Sequence, residues 1–253
     1  MTGGQRRDRL LAVASPAGVL VAWEVLSRLG ALDARFVPAP TTILHTMALM
    51  TRTGELPYHI LVSVRRVVLG FLLGAGPAVG LGLLMGLSRP VRSALLPIVS
   101  AAYPIPKIAV YPLIIFYLGL GEASKVGIVA VSIFFLVLLS TMSGVLALDP
   151  AYFKIARAYG ADARAVFATV AWPGALPQIF TGLKLGMGFA LIVIVGAELL
   201  GSTSGIGYLI WRSYQIFAVD AMFVGLLVTA VLGWVAAAAL DWLEHRVLPW
   251  RAS

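Results

Sequence analysis

"ARAYGADARAVFATVAWPGALPQIF", residues 156–180, lies between two strongly apolar runs of a 253-residue chain that is 60% hydrophobic, and yet it is half polar. It carries Arg157, Asp162 and Arg164, and it is punctuated by Gly160, Pro173, Gly174 and Pro177. From Asp149 to Val170 the pattern predicts two short helices. "PAYFKIARAY" begins with Asp149 as N-cap and Pro150 at the first helical position. Gly160 supplies the left-handed turn that ends it. "ADARAVFATV" makes the second helix, with Pro173 and Pro177 expected to stop it before the next apolar run. Phe153, Ile155, Tyr159, Val166 and Phe167 are too apolar for a freely solvated loop, so something is expected to cover them.

The surrounding chain is a membrane protein. Only 12% of its residues are charged, its mean hydropathy is +0.95, and a soluble chain carries about twice that charge. Apolar runs fall at 10–29, 61–87, 94–118, 124–147, 179–200 and 221–243, long enough for about six helical crossings. The expected fold class is all-α, a polytopic transmembrane helical bundle. The N-terminal stretch has Arg6, Arg7 and Arg9 before its apolar run, but the run is long, holds Glu24 and lacks a clear cleavage site, so it reads as a retained first helix. Residues 1–60 then form an N-terminal helix followed by an extracytoplasmic segment in which "TTILHTMALM" reads as an amphipathic interfacial helix. Residues 61–248 form the main transmembrane domain, with a loop at 148–178.

The net charge of +8 reads as topology rather than nucleic-acid binding. With the N-terminus in the cytoplasm, ten basic residues (Arg6, Arg7, Arg9, Arg89, Arg92, Lys154, Arg157, Arg164, Arg246 and Arg251) share that side. Four, Arg35, Arg52, Lys125 and Arg212, fall opposite. The positive-inside rule places both termini and the quoted stretch in the cytoplasm.

Within the spans, "GFLLGAGPAVGLGLLMG" spaces three small-residue pairs, Gly70 with Gly74, Gly76 with Gly80 and Gly82 with Gly86. Gly182 and Gly186 repeat the device, which allows helix backbones to approach closely. "YPIPKIAVYP", residues 103–112, holds Pro104, Pro106 and Pro112 and is not expected to be a regular helix. Irregular backbone at membrane depth belongs where protein buries it or water solvates it. This places Tyr103, Pro106, Lys107 and Tyr111 at a translocation pathway, where Lys107 suits an anionic solute. Tyr103, Tyr111 and Tyr208 equally fit an aromatic belt. Glu198 is the costliest acidic placement, either a pathway residue or one paired within the fold. Lys184 reads as snorkelling, Arg65, Arg66 and His59 as interfacial, and Glu24 as packed or wetted.

Enzymatic chemistry finds no support. There is no cysteine and no G-x-x-x-x-G-K-[ST], so the chain is not expected to bind ATP through a P-loop. "GSTSG" places Thr203 where a nucleophile elbow needs serine. His45, His59 and His245 lack metal-ligand spacing, and no cofactor or metal is expected.

"ARAYGADARAVFATVAWPGALPQIFTGLKLG" resembles the cytoplasmic "EAA" loop of binding-protein-dependent ABC importer permeases, with Gly160 and Pro173 in the places of that motif's glycine and proline. "FVPAPTTIL", "SVRRVVLGFLLG", "PIPKIAVYPLIIFYLGLGEASK" and "GAELLGSTSGIGYLI" extend the resemblance over residues 36–250, to the nitrate, sulfonate, taurine and bicarbonate branch. The resemblance implies a type I importer half-channel in the bacterial cytoplasmic membrane. A second permease copy would pair with it, two ATPase subunits would bind ATP and Mg below, and an extracytoplasmic binding protein would deliver a small solute above. The docking loop would comprise Lys154, Ile155, Ala156, Arg157, Tyr159, Gly160, Ala161, Asp162, Phe167 and Pro173. Lys154, Ile155 and Ala156 occupy the Glu-Ala-Ala positions, so the usual acidic contact is replaced by a base. An ion-coupled secondary transporter is the alternative, but it needs repeats or intramembrane relays that the chain does not display.

Overall fold

A computed structural model describes residues 3–251. Among these residues eleven α-helices run in order: α1 Gly3–Arg28, α2 Pro40–Arg52, α3 Glu55–Leu87, α4 Arg89–Ala102, α5 Lys107–Leu118, α6 Glu122–Leu146, α7 Pro150–Ala158, α8 Ala163–Val166, α9 Trp172–Leu199, α10 Ile206–Gln215 and α11 Val219–Val247. Among the described residues four stretches are long and apolar enough to cross a membrane, namely Glu55–Leu87, Glu122–Leu146, Ala163–Leu199 and Val219–Val247. The pair α4 and α5, bent by 98°, is long and apolar enough only when taken together, as one broken span or a re-entrant loop. The first apolar run falls on α1, several of whose side chains lie outside the description.

α6 is the centre of the bundle. It packs along α3 on one side and α9 on the other, around Phe71, Ala75, Val129, Ile133, Val137, Ala190 and Ile194. A Cβ at Gly70 or Gly74 would strike Val129 or the Ala130 backbone, and one at Gly82 or Gly86 would strike Thr141 or Val145. Gly182 likewise leaves room for Ser140. Close backbone approach therefore explains these glycines. The third predicted pair differs, because Gly76 and Gly80 have nothing within 4 Å of a built Cβ. They sit on the opposite face of α3, which α6 does not touch.

A second core joins α2, α10 and α11 through Ile43, Met50, Ile206, Leu209, Val224 and Val228. The amphipathic α2 thus lays its apolar face on the bundle. Before it, Arg35 donates to both carboxylate oxygens of Asp33 and holds that carboxyl below the ordinary aspartate range. Glu24 accepts from Arg28 and from the Thr41 backbone and hydroxyl, tying α1 to the start of α2.

Three sequence expectations need correction. The irregular stretch is shorter than 103–112, since α5 resumes at Lys107 and contains Pro112. The break is confined to the residues joining α4 to α5. Pro173 and Pro177 do not stop a helix either. α8 runs through a π-helical turn, Phe167–Ala171, into α9, whose first turn contains Pro173. The wider turn changes the hydrogen-bonding register at the point where proline cannot donate, so the chain continues. Finally, Lys184 does not snorkel, for its ammonium pairs with Asp241 and Glu244 of α11.

Candidate functional site

Three regions carry the expected functional residues. At one end of the bundle is the 149–173 loop. Asp149 caps α7 by accepting from Ala151 N at 2.8 Å, and Asp162 caps α8 by accepting from Ala165 N at 2.7 Å. Between them Gly160 has φ +81°, the left-handed conformation expected of it. Val166 is buried and Phe153 is half-buried, whereas Ile155 remains 54% exposed and Tyr159 90% exposed. Phe167 is exposed too, and Lys154, Arg157 and Asp162 point to the surface. Ala156 and Pro173 help line a cavity of about 400 Å³ with Tyr152, Ile155 and Trp250. The chain itself leaves much of this apolar surface open.

The second region is the break between α4 and α5. Lys107 is 7% exposed, and its ammonium donates to the carbonyls of Ala102 (2.8 Å), Tyr103 (3.0 Å) and Ile105 (2.9 Å). The Ala102 carbonyl also accepts from Ile105 N at 3.4 Å, so the ammonium chiefly serves the Tyr103 and Ile105 carbonyls where α4 ends. The ammonium also lies 4.5 Å from the ring centre of Phe135. All three ammonium protons are thus committed to the break. Tyr111 is fully buried beside Ile128, Val193 and Ala197, while Tyr103 and Pro106 are exposed.

The third region lies at the other end of the bundle, and sequence reading missed most of it. Arg66, expected at the interface, is 1% exposed. Its Nε donates to Glu122 Oε2 at 2.8 Å, and its Nη1 donates to Glu198 Oε1 at 2.7 Å and to the Ser204 carbonyl at 2.8 Å. Glu198 is fully buried. It also accepts from the Ser63 hydroxyl at 2.8 Å and from Gly207 N at 2.9 Å. Its carboxylate thus has the within-fold partners that a buried charge requires. Gly205, with φ +107°, has no room for a side chain because the Glu198 carboxylate sits against it. His59, also expected at the interface, is 5% exposed and accepts from Gly205 N through Nδ1 at 3.0 Å. The network thus fastens the 199–205 turn to α3 and α6.

"SVRRVVLG", "GLGEASK" and "GAELLGSTSGIG" each contribute one charge to this network. Residues 78–249 match the family of binding-protein-dependent transport system inner membrane components. The chain belongs to this family. The permease is 35% identical over 251 residues to SsuC of Bacillus subtilis, named as an aliphatic sulfonates transport permease, with 99% of this chain and 91% of the relative covered. It is 30% identical to the taurine transport system permease protein TauC of Escherichia coli, covering 96% and 90% of the two chains. Its fold matches a solved inward-facing MetNI methionine ABC transporter chain with a TM-score of 0.69 at 17% identity, covering 80% of the permease and 97% of that chain. The permease is therefore an all-helical, multi-pass membrane component of an ABC importer with a type I fold.

Proposed function

We propose that the permease forms, as a pair of copies, the translocation pathway for a small anionic solute of the sulfonate or taurine kind. Two ATPase subunits dock on the 149–173 loop, residues Lys154 to Pro173, and carry the bound ATP and Mg. An extracytoplasmic binding protein delivers solute to the opposite end. The pair sits in the cytoplasmic membrane with both termini inside. Residues 1–60 then act as an outer buttress to the transport domain at 61–248. The observation that carries docking is the exposure of Ile155 and Tyr159 on a well-capped loop, apolar surface that a partner groove would cover. Substrate class follows the names of the relatives that align along nearly the whole chain.

ATP-driven closure of the ATPase pair would move the loops, and because α8 is continuous with α9 the motion would pass directly into the core. The exposed Tyr103 and Pro106 would line the pathway, while Lys107, Tyr111 and Glu198 would hold its wall in place from behind. Lys107 then acts on the shape of the broken span and not as a ligand for the anion.

The mass of the intact complex, purified from its native membrane in mild detergent, tests this reading. Two permease copies with two ATPase subunits are expected. A stable monomer or homodimer lacking any ATPase would overturn it in favour of an ion-coupled secondary transporter.

A further inference from the structure

We infer that the cavity between the α3–α4 turn and α7 is an anion-recognition pocket whose occupant is a carboxylate-bearing segment of the ATPase subunit. The inference rests on the docking reading above and names the chemistry of its second contact. The cavity measures about 520 Å³, and Arg89, Arg92, Lys154 and Arg157 all line it. No acidic side chain lines it, and among the described residues none of the four cations forms an ion pair. Arg92 donates to the Met85 and Gly86 carbonyls at the end of α3, leaving its remaining protons free of protein partners. Arg89, Lys154 and Arg157 are exposed.

Two helices begin at this cavity. Arg89 is the first residue of the 14-residue α4 and Pro150 the first of the nine-residue α7, and both line it. The α4 end, capped by the neutral Ser88, adds its positive dipole to the side chains, whereas the Asp149 carboxylate that caps α7 offsets that of its own helix. The acids of the adjoining loop are already committed, Asp149 to Ala151 N and Asp162 to Ala165 N. Four like charges around one cavity repel unless an anion enters.

The faces of α7 point to the source of that anion. Phe153, Lys154 and Arg157 turn to the basic cavity, whereas Tyr152, Ile155 and Ala156 turn to the apolar one beneath Pro173. A single occupant covering α7 must be acidic on one side and apolar on the other. Inorganic phosphate could satisfy the first requirement but leaves Ile155 and Tyr159 bare. A protein surface meets both, and Arg89 then gives it a contact outside the loop, on the turn between α3 and α4.

The test uses the native complex, with Arg89→Glu, Lys154→Glu and Ile155→Asp made singly and ATPase retention on the purified permease measured across a salt series. Arg89→Glu and Lys154→Glu are each expected to reduce retention on the order of tenfold, since reversing one member of a docked charge pair removes an attraction and adds a repulsion. Raising salt should weaken wild-type retention in the same direction. If Ile155→Asp strips the ATPase while both charge reversals retain it at every salt concentration, docking stands and the acidic occupant is wrong. If none of the three changes retention, the docking reading itself fails. If the reversals leave retention intact but lower the phosphatidylglycerol that copurifies, a lipid headgroup fills the pocket and the inference is overturned.

Discussion

Arg66 and Glu198 stand 132 positions apart in the chain, yet the guanidinium meets the carboxylate at 2.7 Å with both side chains closed off from solvent. Removing one member strands the other as an unpaired buried charge, at a typical cost of about 3–5 kcal/mol. Arg66→Met and Glu198→Leu should each destabilise strongly, while the double substitution should cost less than the two singles combined. Thermal unfolding in detergent across the double-mutant cycle measures this, and strict additivity would show that the pair is not coupled.

The network also shows where sequence reading reached its limit. Each of its three charges sits at the edge of an apolar run, where a lone Arg or Glu fits interfacial placement equally well. Only the pairing of runs tells them apart, and it joins positions 56 and 132 residues away from Arg66. One signal was available: the predicted topology puts Arg66, Glu122 and Glu198 at the same membrane face with opposite signs. By contrast, the cap at Asp149 and the turn at Gly160 are local, so the sequence reading could place them to the residue, whereas the Asp162 cap falls inside the helix read from Ala161. The reading of Pro173 failed for a local reason of another kind, because the first turn of a helix entered through a π turn accommodates a residue that cannot donate, whereas Pro112 and Pro177 lie inside α5 and α9.

Glu122 accepts from the same guanidinium but is 52% exposed. Water can replace that partner, so Glu122→Gln is expected to cost no more than about 1 kcal/mol. The same unfolding assay should rank it well below Glu198→Gln. Equal losses would contradict the burial difference.

The glycines of α3 divide by face. Gly74→Ala places a methyl against the Ala130 backbone, which cannot move aside cheaply, and should destabilise by about 1–3 kcal/mol. Gly80→Ala meets open space within the single chain and should be neutral or stabilising by up to about 1 kcal/mol. Dispersed, monomeric permease in detergent gives the comparison. If Gly80→Ala instead lowers the recovery of a permease pair without changing monomer stability, that face of α3 meets the second copy.

Lys107 separates a positioning role from a binding one. Its ammonium already serves three carbonyls at the end of α4, so an anion entering the pathway would have to compete with all of them. Lys107→Met keeps the length of the stem and removes the donors, leaving the Tyr103 and Ile105 carbonyls without the ammonium at a 98° break. Maximal uptake should fall about tenfold or more while the apparent affinity for solute stays within about twofold, because a distorted wall slows the switch without touching the solute. The loss should be the same for an anionic solute and a zwitterionic one. An affinity defect confined to the anion would return Lys107 to the role of ligand.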